Sequence, residues 1–322
     1  RGLAPGRRAG AARRLAGRRV VLRPPPRGPA RPGVRQRRLG RRRPVGRPLA
    51  SGPGGLRRED VVSSTVVLAV CSALFGLAIG SFLNVVVYRV PNGQSLSHPR
   101  SACPGCGNAI AAYDNIPLLS WVVLRGRCRH CHGSISARYP LVEAGTAALF
   151  VGVALRFGWS WTTAAVDVFV AGLFALACVD LERYLLPRRI VYTTAVLSGG
   201  LLVVASAATG RWSDLAVGAA CGAVAFGLFW VLNRVNPRWL GYGDVRLAGV
   251  IGFVLGWLGV DYALVGFLVA NFAGVAVAAA LMATGRMGRS SKMPYGVFLA
   301  AGSVVTVLAG APLTQLLAAH PI

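Results

Sequence analysis

The sequence contains eight separate apolar stretches, and this feature limits the possible fold more than any other. A helix needs about 20 residues to cross the hydrocarbon core of a bilayer. The stretches run over residues 62–88, 141–158, 162–180, 190–208, 213–233, 245–259, 262–283 and 295–317, of which the second and sixth are short. Because an open sheet would leave backbone groups unpaired in lipid, the pattern predicts a helical bundle. We therefore expect an all-α polytopic membrane protein with about eight transmembrane helices.

Basic residues are distributed unevenly between the two sides of this predicted bundle. Residues 1–58 contain nineteen of the 36 lysines and arginines, which leaves 36 − 19 = 17 for the rest of the chain. If successive stretches alternate in direction, fifteen of these 17 lie on the side of the 89–140 connection and only Arg156 and Arg211 on the other. Because cytoplasmic loops carry the excess of basic residues, the first side is predicted to be cytoplasmic.

The N-terminal segment differs from the remainder in composition. Residues 1–60 are rich in Arg, Pro and Gly and show no hydrophobic periodicity, so they cannot build a core. The predicted topology would also carry their arginines across the membrane, against the rule that orients the other loops. We expect a disordered or mis-assigned extension; the alternative is a tail for nucleic acid or anionic lipid. Since the excess charge is confined here, no nucleic-acid partner is predicted.

The connection at residues 89–140 follows the first predicted membrane helix, 61–88, and precedes a predicted seven-helix catalytic domain, 141–318. It contains two C-x-x-C pairs, formed by Cys103, Cys106, Cys128 and Cys131. This spacing is typical of a tetrahedral zinc ribbon, whereas a redox disulfide pair is less compatible with the reducing cytoplasm. Four thiolates leave no open position on the ion, so the zinc would be structural. We predict a small cytoplasmic zinc-ribbon-like loop domain.

Two aspartates lie where apolar stretches meet the predicted cytoplasmic face. Asp180 ends the third stretch and Asp244 immediately precedes the sixth, and the two intervening helices bring both residues to one side. Two carboxyls that share a poorly solvated site cannot both ionise cheaply, so one acts as an acid and the other as a base on water. Gly241 and Gly243 would allow an extended substrate strand to approach closely. This pattern predicts peptide hydrolysis with Asp180 and Asp244 as catalytic residues.

Other interpretations of the same carboxylates remain open at this stage. Each aspartate could cap a helix or pair with an interfacial arginine, such as Arg183 or Arg246. The aspartates could instead relay ions in a proton- or cation-coupled transporter, or the chain could be a zinc-stapled scaffold without chemistry. Outside the pair, Asp167 near the outer end of the third stretch is interpreted as a solvated helix end.

Several motifs, taken in order, resemble the type IV prepilin peptidase family, a branch of the GxGD-type intramembrane aspartic proteases. The segments that carry the resemblance are 80–85, 136–143, 180–187, 241–247 and 294–299. It covers about residues 70 to 310. Arg188 stands where the family often has Asp, and Arg246 replaces the usual Lys.

The resemblance implies a leader peptidase of the bacterial inner membrane, active at its cytoplasmic face on prepilin-like substrates. Such substrates have a short basic leader, a Gly before the cut and an apolar segment after it. Members with a cysteine loop commonly also N-methylate the new N-terminus with S-adenosylmethionine. Glu143 matches a family glutamate and is either a structural partner of a cytoplasmic arginine or a methyl-transfer residue. The sequence identifies no cofactor-binding residues and no oligomeric state.

Overall fold

The computed structural model describes residues 58–237, 240–286, 288 and 293–319, and most of these are helical. Each predicted apolar stretch forms one helix, and one additional short helix lies in the cysteine-containing connection. The helices are α1 (Arg58–Arg89), α2 (Leu119–Val123), α3 (Arg138–Phe157), α4 (Trp161–Arg183), α5 (Arg188–Thr209), α6 (Trp212–Val235), α7 (Tyr242–Leu258), α8 (Val260–Ala283) and α9 (Tyr295–Ala319). Residues 1–57, nearly all of the predicted N-terminal extension, lie outside the described residues.

Six of these helices are long and apolar enough to cross a membrane, namely α1, α3, α4, α5, α6 and α8. The helix α3 reaches this length because it begins at Arg138, before its predicted start. The helix α7 has 17 residues and is shorter than a full span. The apolar segment Tyr295–Gly310 of α9 is also shorter than a full span. The prediction of an all-α polytopic membrane protein is confirmed.

The helix α4 lies at the centre of the described bundle. In its membrane-spanning window 61% of the residues are buried, compared with 17% for α1 and for α8. It packs against α1, α3, α5 and α9, and its inner side chains Phe169, Leu173 and Leu176 are fully buried. Asp180 therefore lies near the end of the most enclosed helix.

Local sequence determines where the helices that carry the two aspartates end. The hydroxyl of Ser160 accepts a hydrogen bond from the backbone N–H of Thr163 at 3.1 Å and caps the start of α4. At the other end Tyr184 adopts a left-handed conformation with φ 54°, and Pro187 precedes α5. The carboxylate of Asp244 caps α7, since the N–H of Gly241 donates to it at 3.1 Å.

Glycines bring neighbouring helices into backbone contact in three pairs, α1 with α3, α6 with α7, and α8 with α9. A Cβ atom at Gly80 of α1 would lie 2.7 Å from the Cα of Glu143. One at Gly302 of α9 would lie 2.6 Å from the backbone N of Ala270. Membrane helices gain packing energy by approaching closely at small residues, because the hydrophobic effect does not drive association between helices in lipid.

We predict that Gly302→Ala destabilises the protein, because the added methyl group meets the α8 backbone and cannot be accommodated by a rotamer change. Overpacking of this kind costs about 1–3 kcal/mol. The matched control is Gly227→Ala in α6, where an added Cβ meets no atom within 4 Å. Thermal unfolding of the detergent-solubilised variants measures the difference. Equal midpoints for the two variants would contradict the α8–α9 packing described here.

Candidate active site and metal site

Asp180 lies in the last turn of α4 and is only 5% exposed. The backbone amides of Gly296 and Val297, at the start of α9, face its carboxyl group. These are among the N–H groups that a helix leaves without intrahelical partners, and they favour a negative charge. Among the described atoms, Oδ2 of Asp180 is buried without a hydrogen-bond partner. The group thus retains capacity to bind a further donor.

Asp244 lies in the first turn of α7, and its carboxyl group interacts electrostatically with that of Asp180. The phenol of Tyr295 interacts with the same carboxyl group and donates a hydrogen bond to Asn271 Oδ1 at 3.1 Å. The structure therefore brings the two predicted catalytic aspartates to one site. Three helix ends form this site, which are the end of α4 and the starts of α7 and α9.

Leu186, in the turn between α4 and α5, lies between the two aspartate-bearing ends. A Cβ atom at Gly243 would lie 2.9 Å from the Cβ of Leu186, and one at Gly296 would lie 2.9 Å both from Leu186 Cδ2 and from Asp180 Oδ2. Side chains at these two positions would thus displace Leu186 or the carboxyl group. Gly241 caps α7, and a Cβ there would lie 3.2 Å from Asp244 Oδ2.

The two arginines considered as partners of the aspartates have other contacts. Arg183 donates to Asn92 Oδ1 at 2.7 Å, and the guanidinium of Arg246 lies 4.4 Å from the ring centre of Tyr242. The ion-pair interpretation of Asp180 and Asp244 is therefore wrong in the described part of the chain. The capping interpretation is correct for Asp244, which caps α7 and faces Asp180 at the same time.

Asp167 is not the solvated helix end expected from the sequence. It lies in the second turn of α4, is 9% exposed, and its Oδ1 is buried with no hydrogen-bond partner among the described residues. The predicted start of this stretch, residue 162, lies within one residue of the observed start of α4, so the error concerns the packing around the helix and not its bounds. In the structure, α4 and its neighbours enclose the carboxyl group from the side.

The four predicted cysteine ligands come together in the connection between α1 and α3. Their sulfur atoms all lie within 4.8 Å of one another, and those of Cys103 and Cys131 are 3.7 Å apart. Four sulfurs at a zinc–sulfur distance of about 2.3 Å in a tetrahedron would be separated by roughly 3.8 Å. The cluster therefore has the dimensions of a tetrahedral metal site.

The two C-x-x-C pairs form turns with the same hydrogen-bond pattern. The N–H of Cys103 donates to Asn108 O at 2.9 Å, and the N–H of Cys128 donates to Gly133 O at 2.8 Å. In each turn the first cysteine's carbonyl also accepts from the residue four positions later, which has a positive φ: 74° for Gly107 and 55° for His132. This repeated geometry directs both thiols of each pair toward the same point.

The surroundings of this cluster favour ionisation of Cys103 and oppose ionisation of Cys131. The backbone amide of Cys106, together with that of Gly105, lowers the pKa of Cys103 to about 6. The amide of Gly133 lowers the pKa of Cys131, but the neighbouring sulfurs of Cys106, Cys103 and Cys128 outweigh it and raise that pKa to about 11. Four adjacent thiols cannot all ionise without a compensating cation, which a bound metal ion supplies.

An ion pair links the second cysteine pair to the 3-10 turn at Ala112–Asn115. Arg129 donates to both carboxylate oxygens of Asp114, at 2.9 Å from Nε to Oδ2 and 2.6 Å from Nη2 to Oδ1. The Arg129 guanidinium holds the pKa of the Asp114 carboxyl below its usual range. This bidentate contact ties the middle of the connection to the cysteine cluster.

Glu143 anchors the connection to the membrane helices. Its Oε2 accepts a hydrogen bond from the backbone N–H of Leu118 at 2.8 Å, and the side chain is buried at the α1–α3 contact. Leu118 has a φ of 59°, a conformation that L-residues seldom adopt, directly before α2. The structural partner of Glu143 is therefore a backbone amide and not a cytoplasmic arginine, which was one of the two expectations for this residue.

Comparison with known proteins agrees with the order of these motifs. The model of the bacterial peptidase A24 N-terminal domain matches residues 74–157, and that of the type IV leader peptidase family matches residues 168–288. A prepilin leader peptidase/N-methyltransferase of Burkholderia pseudomallei is 36% identical over 277 residues, which cover 76% of this chain and 86% of the relative. This chain belongs to the type IV leader peptidase family.

Two further relatives with the same name support this assignment. The one from Aeromonas hydrophila is 36% identical over 75% of this chain and 91% of its own length. The one from Myxococcus xanthus is 42% identical over 68% of this chain and 65% of its own length. No solved structure matches the chain. The family is one of aspartic proteases, which agrees with a site built on two carboxyl groups.

Sequence reasoning did not identify three features of the structure, namely the positions of Leu186 and of Gly296 and the Asp114–Arg129 pair. Leu186 lies beside Gly296, and Gly296 faces the Asp180 carboxyl group, although both residues belong to motifs that carried the resemblance. The signal was present in the Leu-Pro and Pro-Tyr-Gly elements, but spacing alone does not show that they meet. The Asp114–Arg129 pair joins residues 15 positions apart in an irregular segment, for which no periodicity exists.

We predict that Glu143→Ala loosens the segment around α2, because the N–H of Leu118 then lacks its buried acceptor. Loss of a hydrogen bond to a charged group costs about 1.5–3 kcal/mol, which corresponds to at least roughly ten-fold faster amide exchange. Hydrogen–deuterium exchange of residues 112–124 measures the effect.

Two variants serve as controls for this exchange experiment. Glu143→Gln keeps an acceptor oxygen and should change exchange less. Glu182→Ala removes an exposed carboxylate that pairs with Arg138, and should leave residues 112–124 unaffected. Unchanged exchange in Glu143→Ala would show that the Leu118 contact does not hold the connection in place.

Proposed function

We propose that this chain is a prepilin leader peptidase that hydrolyses the leader peptide of pilin-like precursors with Asp180 and Asp244. The observation that carries the proposal is the meeting of these two carboxyl groups at three helix ends, where Asp180 is 5% exposed and has an unpartnered oxygen. The names of the relatives, prepilin leader peptidase/N-methyltransferase, supply the substrate class.

The proposed reaction needs only the two carboxyl groups and a water molecule. Two carboxyl groups in one poorly solvated site share one proton, so one is protonated while the other is ionised. The ionised carboxylate takes a proton from water, and the water oxygen attacks the scissile carbonyl carbon. The protonated carboxyl donates to the carbonyl oxygen. Collapse of the tetrahedral intermediate then breaks the C–N bond, and the amine leaves with a proton from the dyad.

Helix-end amides contribute electrostatic stabilisation to this scheme. The N–H groups of Gly296 and Val297 face Asp180, and the N–H of Gly241 binds Asp244. These donors favour an ionised carboxylate within a buried site, so that the pair retains one negative charge rather than none. The apolar side chain of Leu186 lies against Gly243 and Gly296 beside the pair, where it would limit the access of water.

The transporter and scaffold alternatives do not share this support. The two matching family models and the relatives all carry the name of a peptidase. Neither the relatives nor the motifs point to ion translocation. A scaffold would not require a buried carboxyl oxygen without a partner, because such a group is costly unless it has a use.

For the cysteine cluster we propose structural zinc bound by Cys103, Cys106, Cys128 and Cys131. The sulfur spacing fits a tetrahedral ion, and four protein ligands leave no position for a reacting water. The ion would hold together a domain, residues 89–140, that has little apolar core of its own. We propose the remaining domain boundaries as predicted, with residues 141–318 forming the catalytic domain.

A second activity, N-methylation of the new N-terminus, follows from the names of the relatives. S-adenosylmethionine would supply the methyl group. Among the described residues no group identifies its binding site, so we assign none, and Glu143 acts through its contact with Leu118 in this proposal.

We further propose that the chain lies in the bacterial inner membrane with its active site at the cytoplasmic face. The basic residues of the connection between α1 and α3, of the α4–α5 turn and of the start of α7 lie on the side that carries the positive excess. This side also holds both aspartates, so the cut would occur where a cytoplasmic leader joins a membrane-embedded segment.

We predict that Asp180→Asn and Asp244→Asn each lower prepilin cleavage by at least about 100-fold, because neither amide can exchange a proton with water. The assay follows the mobility shift of a co-expressed prepilin in membranes, with N-terminal sequencing of the product. The control is Asp261→Asn, because Asp261 is exposed in the first turn of α8. This variant should cleave the prepilin normally. Normal cleavage by either dyad variant that still inserts would refute the dyad.

We predict that the purified chain binds about one zinc ion and that Cys128→Ser or Cys131→Ser releases it, since three sulfur ligands hold the ion less tightly than four. Metal analysis by mass spectrometry measures the content. Cys71→Ser removes a thiol on α1 outside the cluster and should retain the zinc. Wild-type protein that carries no metal would argue against the proposed structural role.

A further inference from the structure

A long apolar groove on the described part of the chain is not used by the dyad. Its volume is about 1330 Å³, and residues of α1, α4 and α5 line it. Because α1 and α5 both pack on α4, the α4 residues from Thr163 to Ala175 form its floor. Phe75 of α1 is 59% exposed on one side of the groove, and Leu197 of α5 is 52% exposed on the other.

The floor of this groove contains the buried carboxyl group of Asp167. The residue is 9% exposed, and its Oδ1 has no hydrogen-bond partner among the described residues. A carboxyl oxygen without a partner is costly in an apolar environment, so Asp167 is a candidate functional position. The group requires a hydrogen-bond donor, which a lipid acyl chain does not supply.

One end of the groove is continuous with the elements that hold the dyad. Tyr192 of α5 lines this end, and the guanidinium of Arg246 lies 5.8 Å from the centre of its ring. Arg246 follows Asp244 by two positions on α7. The floor residue Ala175 precedes Asp180 by five positions, which is about 8 Å along a helix axis. A chain that lies on this floor therefore ends about 8 Å from Asp180 along the α4 axis.

We propose that this groove binds the apolar helix that follows the cleavage site of the precursor, and that Asp167 accepts a hydrogen bond from a polar side chain of that helix. This inference rests on the proposed peptidase function. The floor from Thr163 to Ala175 is about 18 Å long, or some twelve helical residues, which matches a substantial part of a membrane-spanning helix.

To pass from the groove to the dyad, the substrate chain must change from a helix to an extended conformation. Asp180 and Ala175 differ by five positions and so by about 140° around the α4 axis. The precursor must therefore leave the groove as extended chain, which covers about 3.3 Å per residue, and three or four residues reach the aspartates. An extended segment at the scissile bond is also what attack by water requires, since a helical peptide group is shielded by its own turn.

Site-specific photocrosslinking tests the location. A benzophenone amino acid replaces Phe75 or Leu197, which face the groove, in an Asp180→Asn background that leaves the precursor uncut. The matched controls are Leu74 and Val196, adjacent residues that are 63% and 71% exposed but do not line the groove. We expect precursor adducts at 75 and 197 several times more intense than at 74 and 196.

Equal adducts at the four positions, or adducts to lipid alone at 75 and 197, would overturn the proposal. Cleavage by the chain with its natural Phe75, Leu197 and Asp180 is measured in parallel. If this chain does not cut the precursor, the proposed peptidase function fails. If it cuts while the groove positions give no preferential adduct, only the groove proposal fails.

A kinetic experiment tests the role of Asp167. The Asp167→Ala variant is compared on a full precursor and on a peptide truncated a few residues after the cut, which lacks the apolar helix. Loss of the hydrogen bond should raise KM for the full precursor about five-fold, and so lower the preference for it over the truncated peptide by the same factor. Asp167→Asn keeps an acceptor oxygen and should restore most of this preference. An equal loss on both substrates would show that Asp167 has only a structural role.

Discussion

Hydrocarbon offers no hydrogen-bond partners to a polypeptide backbone, so each segment of this chain that enters the membrane must be a complete helix. Free amide groups then occur only at helix ends, and helix ends lie near the membrane surface. The proposed dyad is built from helix ends. The last turn of α4 presents Asp180, the first turn of α7 presents Asp244, and the first amides of α9 face Asp180. The proposed site for peptide hydrolysis thus lies where free amide donors occur.

The cysteine connection follows a different physical rule, because it has too little apolar surface to fold by burial. Two turns of identical hydrogen-bond pattern direct four thiols to one point, and the Asp114–Arg129 pair links them to the rest of the connection. Glu143 then fixes this unit to α3 through the backbone of Leu118. The connection is therefore coupled to the same helices that support the dyad, since α3 packs on α4.

Much of this arrangement was predictable from the sequence, and the reasons are physical. Apolar length identified every long helix but not the short α2, and C-x-x-C spacing identified the cysteine cluster, because both signals are local. To place both aspartates on one side of the bundle, it was enough to see that an even number of helices separates them in the sequence. Contacts between distant segments left no such signal: Leu186 meets Gly243 and Gly296, and Asp167 is enclosed by neighbouring helices rather than solvated. Such contacts depend on the rotation of each helix, which periodicity in uniformly apolar segments does not define.

The most direct test of the central claim, that Asp180 and Asp244 form one site, is chemical crosslinking between these positions. The chain carries Asp180→Cys and Asp244→Cys in a background where Cys71, Cys178 and Cys221 are alanine, and a short thiol-reactive crosslinker is applied in native membranes. After proteolysis between α6 and α7, we expect the two fragments to stay joined, whereas the fragments of a control pair, Asp180→Cys with Asp261→Cys, should separate. Separation of the fragments for the Asp180–Asp244 pair would show that the two residues do not form one site.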